Sequence, residues 1–227
     1  MPIRILSSMA TKQVLADLVA RYPALPTQPV AVESVGGVDA AKRVQAGEAL
    51  DVVVLAAKTI DELIASGKLL AGSRVDLVRS GIAIAVRAGA AQPAIETEAD
   101  VRAAVLAASS ISTSTGPSGV YLAQLFARWG IAEQIQSRMV QAPPGVPVGS
   151  LVASGQVALG FQQLSELMVL PGITVLGPMP EAIQSITTFS AGISANCPQV
   201  EAVQALLGFM AAAEVAGTKR KNGMEPT

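Results

Sequence analysis

Strand and helix patterns alternate along residues 3–66 of this chain, and this alternation limits the folds open to it. Apolar runs at residues 3–6, 30–35 and 51–56 are each followed by a segment with apolar residues at helical spacing. The third run is almost continuously apolar, as in strands that are covered on both faces. The sequence therefore predicts an α/β fold that begins with a βαβαβ unit and a mostly parallel sheet.

The patterns continue through the rest of the chain, with a polar turn at residues 112–119 near its middle. Strands are predicted at residues 79–87, 156–161, 173–176 and 185–195, and a closing helix at 199–213. An apolar segment at 104–110, interpreted as a strand or buried segment, precedes the turn, and a short helix is predicted to begin at Gln162. The 227 residues suffice for one large domain or two lobes of roughly 100 residues each.

The charged and nucleophilic side chains exclude several classes of function. A net charge of -1 argues against nucleic acid as the main partner. The chain has no histidine, which removes Ser-His-Asp and Cys-His catalysis and any His-ligated metal site. Cys197 is alone, so no internal disulfide forms, and we expect a small buried thiol. The basic cluster at residues 219–221 is expected to be a solvated helix end.

The sequence contains no recognisable signal peptide and no apolar run long enough to span a membrane. Two locations follow from this. The protein is cytoplasmic, or it is periplasmic and this is a mature form whose leader has been replaced by Met1. We expect no membrane insertion in either case.

The turn at residues 112–119, Ser-Thr-Ser-Thr-Gly-Pro-Ser-Gly, combines hydroxyls, glycines and a helix start. Pro117 suits the first position of a helix, and the glycines let a ligand approach the backbone. Hydroxyls and free N–H groups at a helix start favour an anion, which makes Thr115, Ser118 and Gly119 candidate ligand residues. The alternative interpretation is an N-capped surface turn.

Ser7 and Ser8 form a second candidate anion site, because they end the first strand and precede a helix. Ligands of open α/β sheets bind at the carboxyl ends of the strands. A plain N-cap is the other interpretation, and the two roles are compatible.

Four features have an order and spacing that resemble one family. They are the strand ending in Ser7-Ser8, the Gly36-Gly37 pair with the segment at 45–53 after it, Gly-Pro-Ser-Gly-Val-Tyr at 116–121, and Lys-Asn-Gly-Met-Glu-Pro at 221–226. The last three are similar to the "G-A-P-A-D-V", "P-A-G-x-Y" and terminal "G-F/M-x-P" patterns of the periplasmic molybdate-binding group. That group belongs to the type II periplasmic solute-binding proteins, and the resemblance covers essentially the whole chain.

The resemblance implies two α/β lobes, each a mostly parallel sheet flanked by helices, with the ligand in a cleft between them. The first lobe would be residues 1–80 with 190–227 returning to it, and the second 81–189. Proteins of this family bind tetrahedral oxyanions through hydroxyls and helix-start N–H groups. The implied contacts in this chain are Ser7 or Ser8, Gly36 or Gly37, Ser118 or Gly119, and Val148.

The chain departs from the family pattern in two places. Gly36 or Gly37 stands where the family has a serine, and Gln162 and Gln163 stand near the position of the family's late tyrosine. Glycines open space, and amides bind carboxylates as readily as oxyanions. The departures favour a ligand larger than molybdate, such as an organic acid, although the two glutamines could instead cap a surface helix.

A carboxylate ligand would gain from a cation. Arg79, with the adjacent Ser80 at the crossing between the predicted lobes, is the first candidate, and Lys12 is the second. Each is otherwise a solvated surface charge.

Two functions remain open. The first, which we rank ahead, is a solute-binding protein that closes on a small anion and serves an ABC transporter permease if it is exported. The second is a cofactor-independent isomerase of a tricarboxylic acid, since the group also resembles aconitate isomerase. Glu33, Glu166 and Lys12 are the available bases. Neither function calls for a cofactor or a metal.

Overall fold

The structure is a computed structural model that describes residues 1–25, 27–143 and 145–227. Pro144, in the predicted loop before Val148, lies outside the described residues. The strands are β1 Ile3–Ser8, β2 Val30–Val35, β3 Val52–Ala56, β4 Val75–Arg87, β5 Ile111–Thr113, β6 Met139–Gln141, β7 Leu159–Gln163, β8 Ile173–Pro178, β9 Ile186–Ile193 and β10 Glu225–Pro226. The α-helices are α1 Lys12–Ala20, α2 Gly37–Gln45, α3 Ala57–Ala65, α4 Glu98–Ala107, α5 Pro117–Arg128, α6 Ala132–Ile135, α7 Val148–Ala153, α8 Leu164–Leu167, α9 Val200–Ala211 and α10 Ala216–Lys221. Short 3-10 helices span Met9–Thr11, Gln136–Arg138, Glu181–Ile183 and Ala213–Val215.

The first compact unit comprises Met1–Ser80 and Thr187–Thr227. Within it β1 is parallel to β2 and β3, while β9 is antiparallel to β3 and β10 is antiparallel to β4. The carboxyl ends of the three parallel strands therefore lie at one edge of the sheet. The 3-10 helix Met9–Thr11, α2 and α3 follow these strands and begin at that edge.

The core of the first unit lies on both faces of its sheet, because successive side chains of a strand point to opposite faces. Ile3 and Ile5 of β1 pack with buried residues of α1 and α9, and Leu6 packs with buried residues of α2 and α3. The valines of β3 divide between the same two clusters and are fully buried, as the apolar run at 51–56 predicts. Burial of each such side chain stabilises the fold by roughly 1.5–3 kcal/mol.

The second compact unit comprises Gly81–Ile186. Here β5 is parallel to β6 and β7, and the second half of β4 is antiparallel to β7 and β8. The helices α5, α7 and α8 follow β5, β6 and β7, so they begin at the edge where those parallel strands end. One face of the sheet packs on α5, where Phe161 meets Phe126 edge-on with ring centroids 6.1 Å apart.

Two local predictions are wrong. The apolar segment at 104–110 begins as helix, since α4 runs to Ala107, and the strand is the short β5 that includes Ser112 and Thr113. A capping box between Thr97 and Asp100 starts α4. Burial of the apolar residues on one face of this helix stabilises it beyond the first turn. The predicted helix at Gln162 starts two residues later, at Leu164, because pairing with β4 extends β7 through Gln163.

The basic cluster at 219–221 is also not wholly solvated, because Lys219 is fully buried and its amine has no hydrogen-bond partner among the described residues. Burial lowers the pKa of Lys219. The helix α10 packs against α1, and Asn222 donates a hydrogen bond to Asp17 at 3.0 Å. That packing draws the lysine inward.

Across the described ranges, no single helix is long and apolar enough to cross a membrane. One bent pair, Val200–Ala211 with Ala213–Lys221, reaches the required length and composition only as a pair broken by 57°.

Candidate functional site

Three helix starts in the first unit share the edge where β1, β2 and β3 end. The residues that precede the 3-10 helix, α2 and α3 are Ser8, Gly36 and Ala56, and none of them makes a side-chain capping hydrogen bond. The N–H groups of a first helical turn have no partner inside the helix, and they carry partial positive charge. This edge therefore offers several backbone donors to an anion.

Ser8 stands out at this edge because its hydroxyl is buried and has no hydrogen-bond partner among the described residues. Leaving a buried polar group unpaired costs about 1–3 kcal/mol. A Cβ on Gly37 would lie 3.7 Å from the Cβ of Ser8, which is an ordinary van der Waals contact. The Ser8 hydroxyl thus has an unused hydrogen-bonding capacity among the described residues.

Ser7 differs from Ser8, because its hydroxyl already has a partner. Its Oγ lies 2.7 Å from the Oγ of Ser34 on the neighbouring strand β2. Ser34 is a polar residue that the sequence analysis did not include among the candidates. The parallel register of β1 and β2, which sets Ser7 opposite Ser34, was the missing information.

The predicted turn of the second unit leads into α5 as expected, with Gly116 before the helix and Pro117 at its first position. The Oγ atoms of Ser114 and Ser118 lie 3.1 Å apart, and the N–H of Gly116 donates to Ser114 Oγ at 3.3 Å. Ser118 and Gly119 are buried, and Thr115 is half-buried. A Cβ on Gly119 would lie 1.8 Å from the backbone oxygen of Ser114, so only glycine fits.

Gln162 lies at the end of β7 and is 2% exposed. Its Oε1 accepts a hydrogen bond from the N–H of Gly149 at 3.4 Å, and its Nε2 donates to Oε1 of Glu166 at 2.7 Å. An amide nitrogen has two N–H groups, so one remains for another acceptor. The alternative of a surface helix cap does not describe this buried side chain.

Glu166 lies in α8, the short helix that follows β7, and the pKa of its carboxyl group is shifted. Burial raises the pKa of Glu166 from 4.5 to about 7, and the hydrogen bond from Gln162 opposes that rise. A carboxyl with such a pKa is present in both protonation states near neutral pH.

Three other predicted ligand residues, Val148, Gln163 and Ser80, are buried. Val148 is the first residue of α7 and is fully buried, so only its backbone can meet a ligand. Gln163, the last residue of β7, and Ser80, in β4, are each 2% exposed.

The two predicted cations are exposed. Arg79 donates to the carbonyl oxygen of Pro226 at 3.3 Å, and Lys12 is the first residue of α1. Lys58, in the first turn of α3, is also exposed, and its amine lies 3.9 Å from a carboxyl oxygen of Glu62. No glycine, serine or proline separates β3 from α3, so no turn signal marked that helix start.

The other reactive groups are engaged elsewhere. Both carboxyl oxygens of Glu33 accept hydrogen bonds from Arg43, which lowers the pKa of Glu33 and weakens it as a base. Burial raises the pKa of Cys197, whose sulfur lies 3.4 Å from a carboxyl oxygen of Asp51. Among the described residues no group of three or more cysteine, aspartate or glutamate side chains could hold a metal ion.

The parallel strands, with helices that begin at their carboxyl ends, define an α/β protein. Residues 3–225 match the family of bacterial extracellular solute-binding proteins, and the chain belongs to that family. The predicted family resemblance is thereby confirmed.

Individual proteins of known name are also similar to this chain. Aconitate isomerase from a Pseudomonas species is 36% identical over 211 residues, which are 92% of this chain and 76% of that protein. The periplasmic molybdate-binding protein of Azotobacter vinelandii has a TM-score of 0.81 at 18% identity, over 99% of both chains. The tungstate ABC transporter protein of Geobacter sulfurreducens has a TM-score of 0.76 at 16% identity, over 97% of this chain and 98% of its own. These structural likenesses confirm the predicted α/β fold class.

Proposed function

We propose that this chain binds a small organic polycarboxylate of the aconitate class. The observation that carries the proposal is the buried, unpartnered hydroxyl of Ser8 beside uncapped helix starts. A bound anion would accept that hydrogen bond and remove the cost of leaving it unmade. In the second unit, the first turn of α5 with Ser118 and Gly119 supplies similar donors.

Two features of the described residues are compatible with a carboxylate, and one comparison favours it over a small tetrahedral oxyanion. The buried amide of Gln162 keeps one N–H available, and amides hydrogen-bond carboxylates well. Gly37 has no side chain beside Ser8, where a Cβ would lie 3.7 Å from the Cβ of Ser8. The likeness to aconitate isomerase points to the same chemical class, at a higher identity than the likeness to the oxyanion-binding proteins.

Isomerisation of such an acid is the second candidate function, and Glu166 favours it. A 1,3-proton shift needs a group that both accepts and releases a proton, and a carboxyl with a pKa of about 7 meets that need at neutral pH. If the protein only binds, its partner is an ABC transporter permease and its location is the periplasm. If it isomerises the ligand, neither a permease partner nor a periplasmic location is required.

We expect alanine substitution of two buried serines to affect ligand binding differently. Ser8→Ala should weaken binding of tricarballylate roughly 10- to 150-fold, since a hydrogen bond to a charged group contributes about 1.5–3 kcal/mol. The free protein should be as stable as the wild type or more stable, because the lost hydroxyl has no partner there. Isothermal titration and denaturant unfolding measure the two quantities.

Ser112→Ala is the matched control, because the Ser112 hydroxyl is also buried without a partner but lies inside β5. This variant should keep wild-type affinity. An unchanged affinity of the Ser8→Ala protein would return Ser8 to a purely structural role.

A further inference from the structure

Glu166 is held in a small network that leaves part of its carboxyl group unused. Its Oε1 accepts from Nε2 of Gln162 at 2.7 Å, and Gln162 is in turn fixed by the N–H of Gly149 at 3.4 Å. Gln162 lies in β7 and Gly149 in α7, so two elements besides α8 set the orientation of this carboxyl. A group held in this way has little freedom to turn away from a reactant.

The second carboxyl oxygen of Glu166 has no hydrogen-bond partner within the described part of the chain. It is not sealed in the core either, since the buried side-chain atoms without a partner there belong to Ser8, Ser112 and Lys219. One oxygen is therefore used for orientation, and the other is open to a ligand. A positioned base needs this division of roles.

The network also lies at the strand end where the α5 donors begin. Thr113 of β5 is opposite Phe161 of β7, and the two strands are parallel. Gln162 is the next residue after Phe161, so its backbone lies beside the start of the turn that leads to Ser118 and Gly119. Gln162 points to the face of the sheet opposite Phe161, where α7 packs, and it meets Glu166 on that face.

Resting on the proposed function, we propose that Glu166 is the proton-transfer residue for a 1,3-allylic shift in a bound unsaturated tricarboxylate. Its free oxygen takes a proton from the methylene carbon, so a C–H bond breaks and an O–H bond forms. The electron pair left on carbon becomes the new double bond, and the old π pair takes the proton back from Glu166 at the far alkene carbon. Atoms and charge balance, and no oxidant or cofactor takes part.

The surroundings of Glu166 suit this role better than those of the other acids and bases considered. Burial keeps the pKa of Glu166 near neutrality, and no charged neighbour contributes to its shift. Glu33 is neutralised by Arg43, and Cys197 is held near Asp51.

The test uses Glu166→Gln, which keeps an oxygen for the Gln162 amide, and Glu133→Gln as a control on an exposed residue of the same unit. Binding is measured with tricarballylate, a saturated analogue. Proton transfer is measured with trans-aconitate in deuterium oxide, by proton NMR of methylene exchange and of cis-aconitate formation.

The wild type and Glu133→Gln should exchange and isomerise, at a rate that rises with pH through about 7 as Glu166 ionises. Glu166→Gln should bind tricarballylate within about threefold of the wild type, while its exchange rate falls at least about 100-fold and loses that pH dependence. Wild-type exchange in Glu166→Gln would overturn the assignment of Glu166. Binding without any exchange by the wild type would overturn it too, and would leave the binding function standing. Absence of binding by the wild type would overturn the proposed function itself.

Discussion

Gly119→Ala should destabilise the protein and weaken ligand binding together. The new Cβ would lie 1.8 Å from the oxygen and 2.8 Å from the carbonyl carbon of Ser114, and backbone atoms cannot rotate away as a side chain can. The loop at 114–116 or the first turn of α5 must therefore shift. Overpacking of this kind costs about 1–3 kcal/mol, and we expect the upper end because the clash is with backbone. Denaturant unfolding and titration with tricarballylate measure the two effects.

Gly208→Ala provides the matched control for that variant. Gly208 lies in α9, is exposed, and a Cβ there would meet nothing within 4 Å. Alanine in a helix interior is about 0.5–1 kcal/mol more favourable than glycine, so this variant should be more stable with unchanged affinity. If Gly119→Ala matched the wild type in both stability and affinity, the close packing of the turn on α5 would be wrong.

Gln162→Leu should change how stability depends on pH. In the wild type the pKa of Glu166 is raised on folding from 4.5 to about 7, so the folded state binds more protons between these values. The free energy of unfolding therefore falls as pH rises through this window. Removing the Gln162 hydrogen bond, which lowers the pKa of Glu166, should raise that pKa further and extend the fall above pH 7.

Unfolding measured near pH 5, 7 and 8.5 would detect this change. The variant should also lose about 1–3 kcal/mol at every pH, since the Gly149 N–H is left without its acceptor. Gln45→Leu is the control, because Gln45 is exposed at the end of α2 and its side chain hydrogen-bonds Ser66. A Gln162→Leu protein with the wild-type pH dependence would contradict the proposed coupling to Glu166.

The features that local sequence could predict are those with local causes. The valine run of β3 identifies a strand covered on both faces, and Pro117 after Gly116 identifies the start of α5. Ser8 follows from the same logic, as a hydroxyl between a strand and a helix. These positions required only periodicity and the chemistry of a helix start.

The features that sequence did not predict depend on contacts between distant segments. Lys219 is buried because α10 packs on α1, through pairs such as Asn222 with Asp17, which are 205 residues apart. The link between Ser7 and Ser34 needs the register of two strands. Glu166 was one of three possible bases, and only its burial and its bond to Gln162 distinguish it from Glu33, which Arg43 holds.

A thermal-shift comparison of ligands tests the central claim most directly. A ligand that binds only the folded form at 100 times its Kd adds about 2.7 kcal/mol of stability. For a chain of this length that corresponds to a rise in Tm of roughly 5–10 °C. The account predicts such a rise with trans-aconitate, cis-aconitate or tricarballylate, and little change with molybdate, tungstate or sulfate. Stabilisation by molybdate or tungstate alone would contradict it and make the protein an oxyanion receptor.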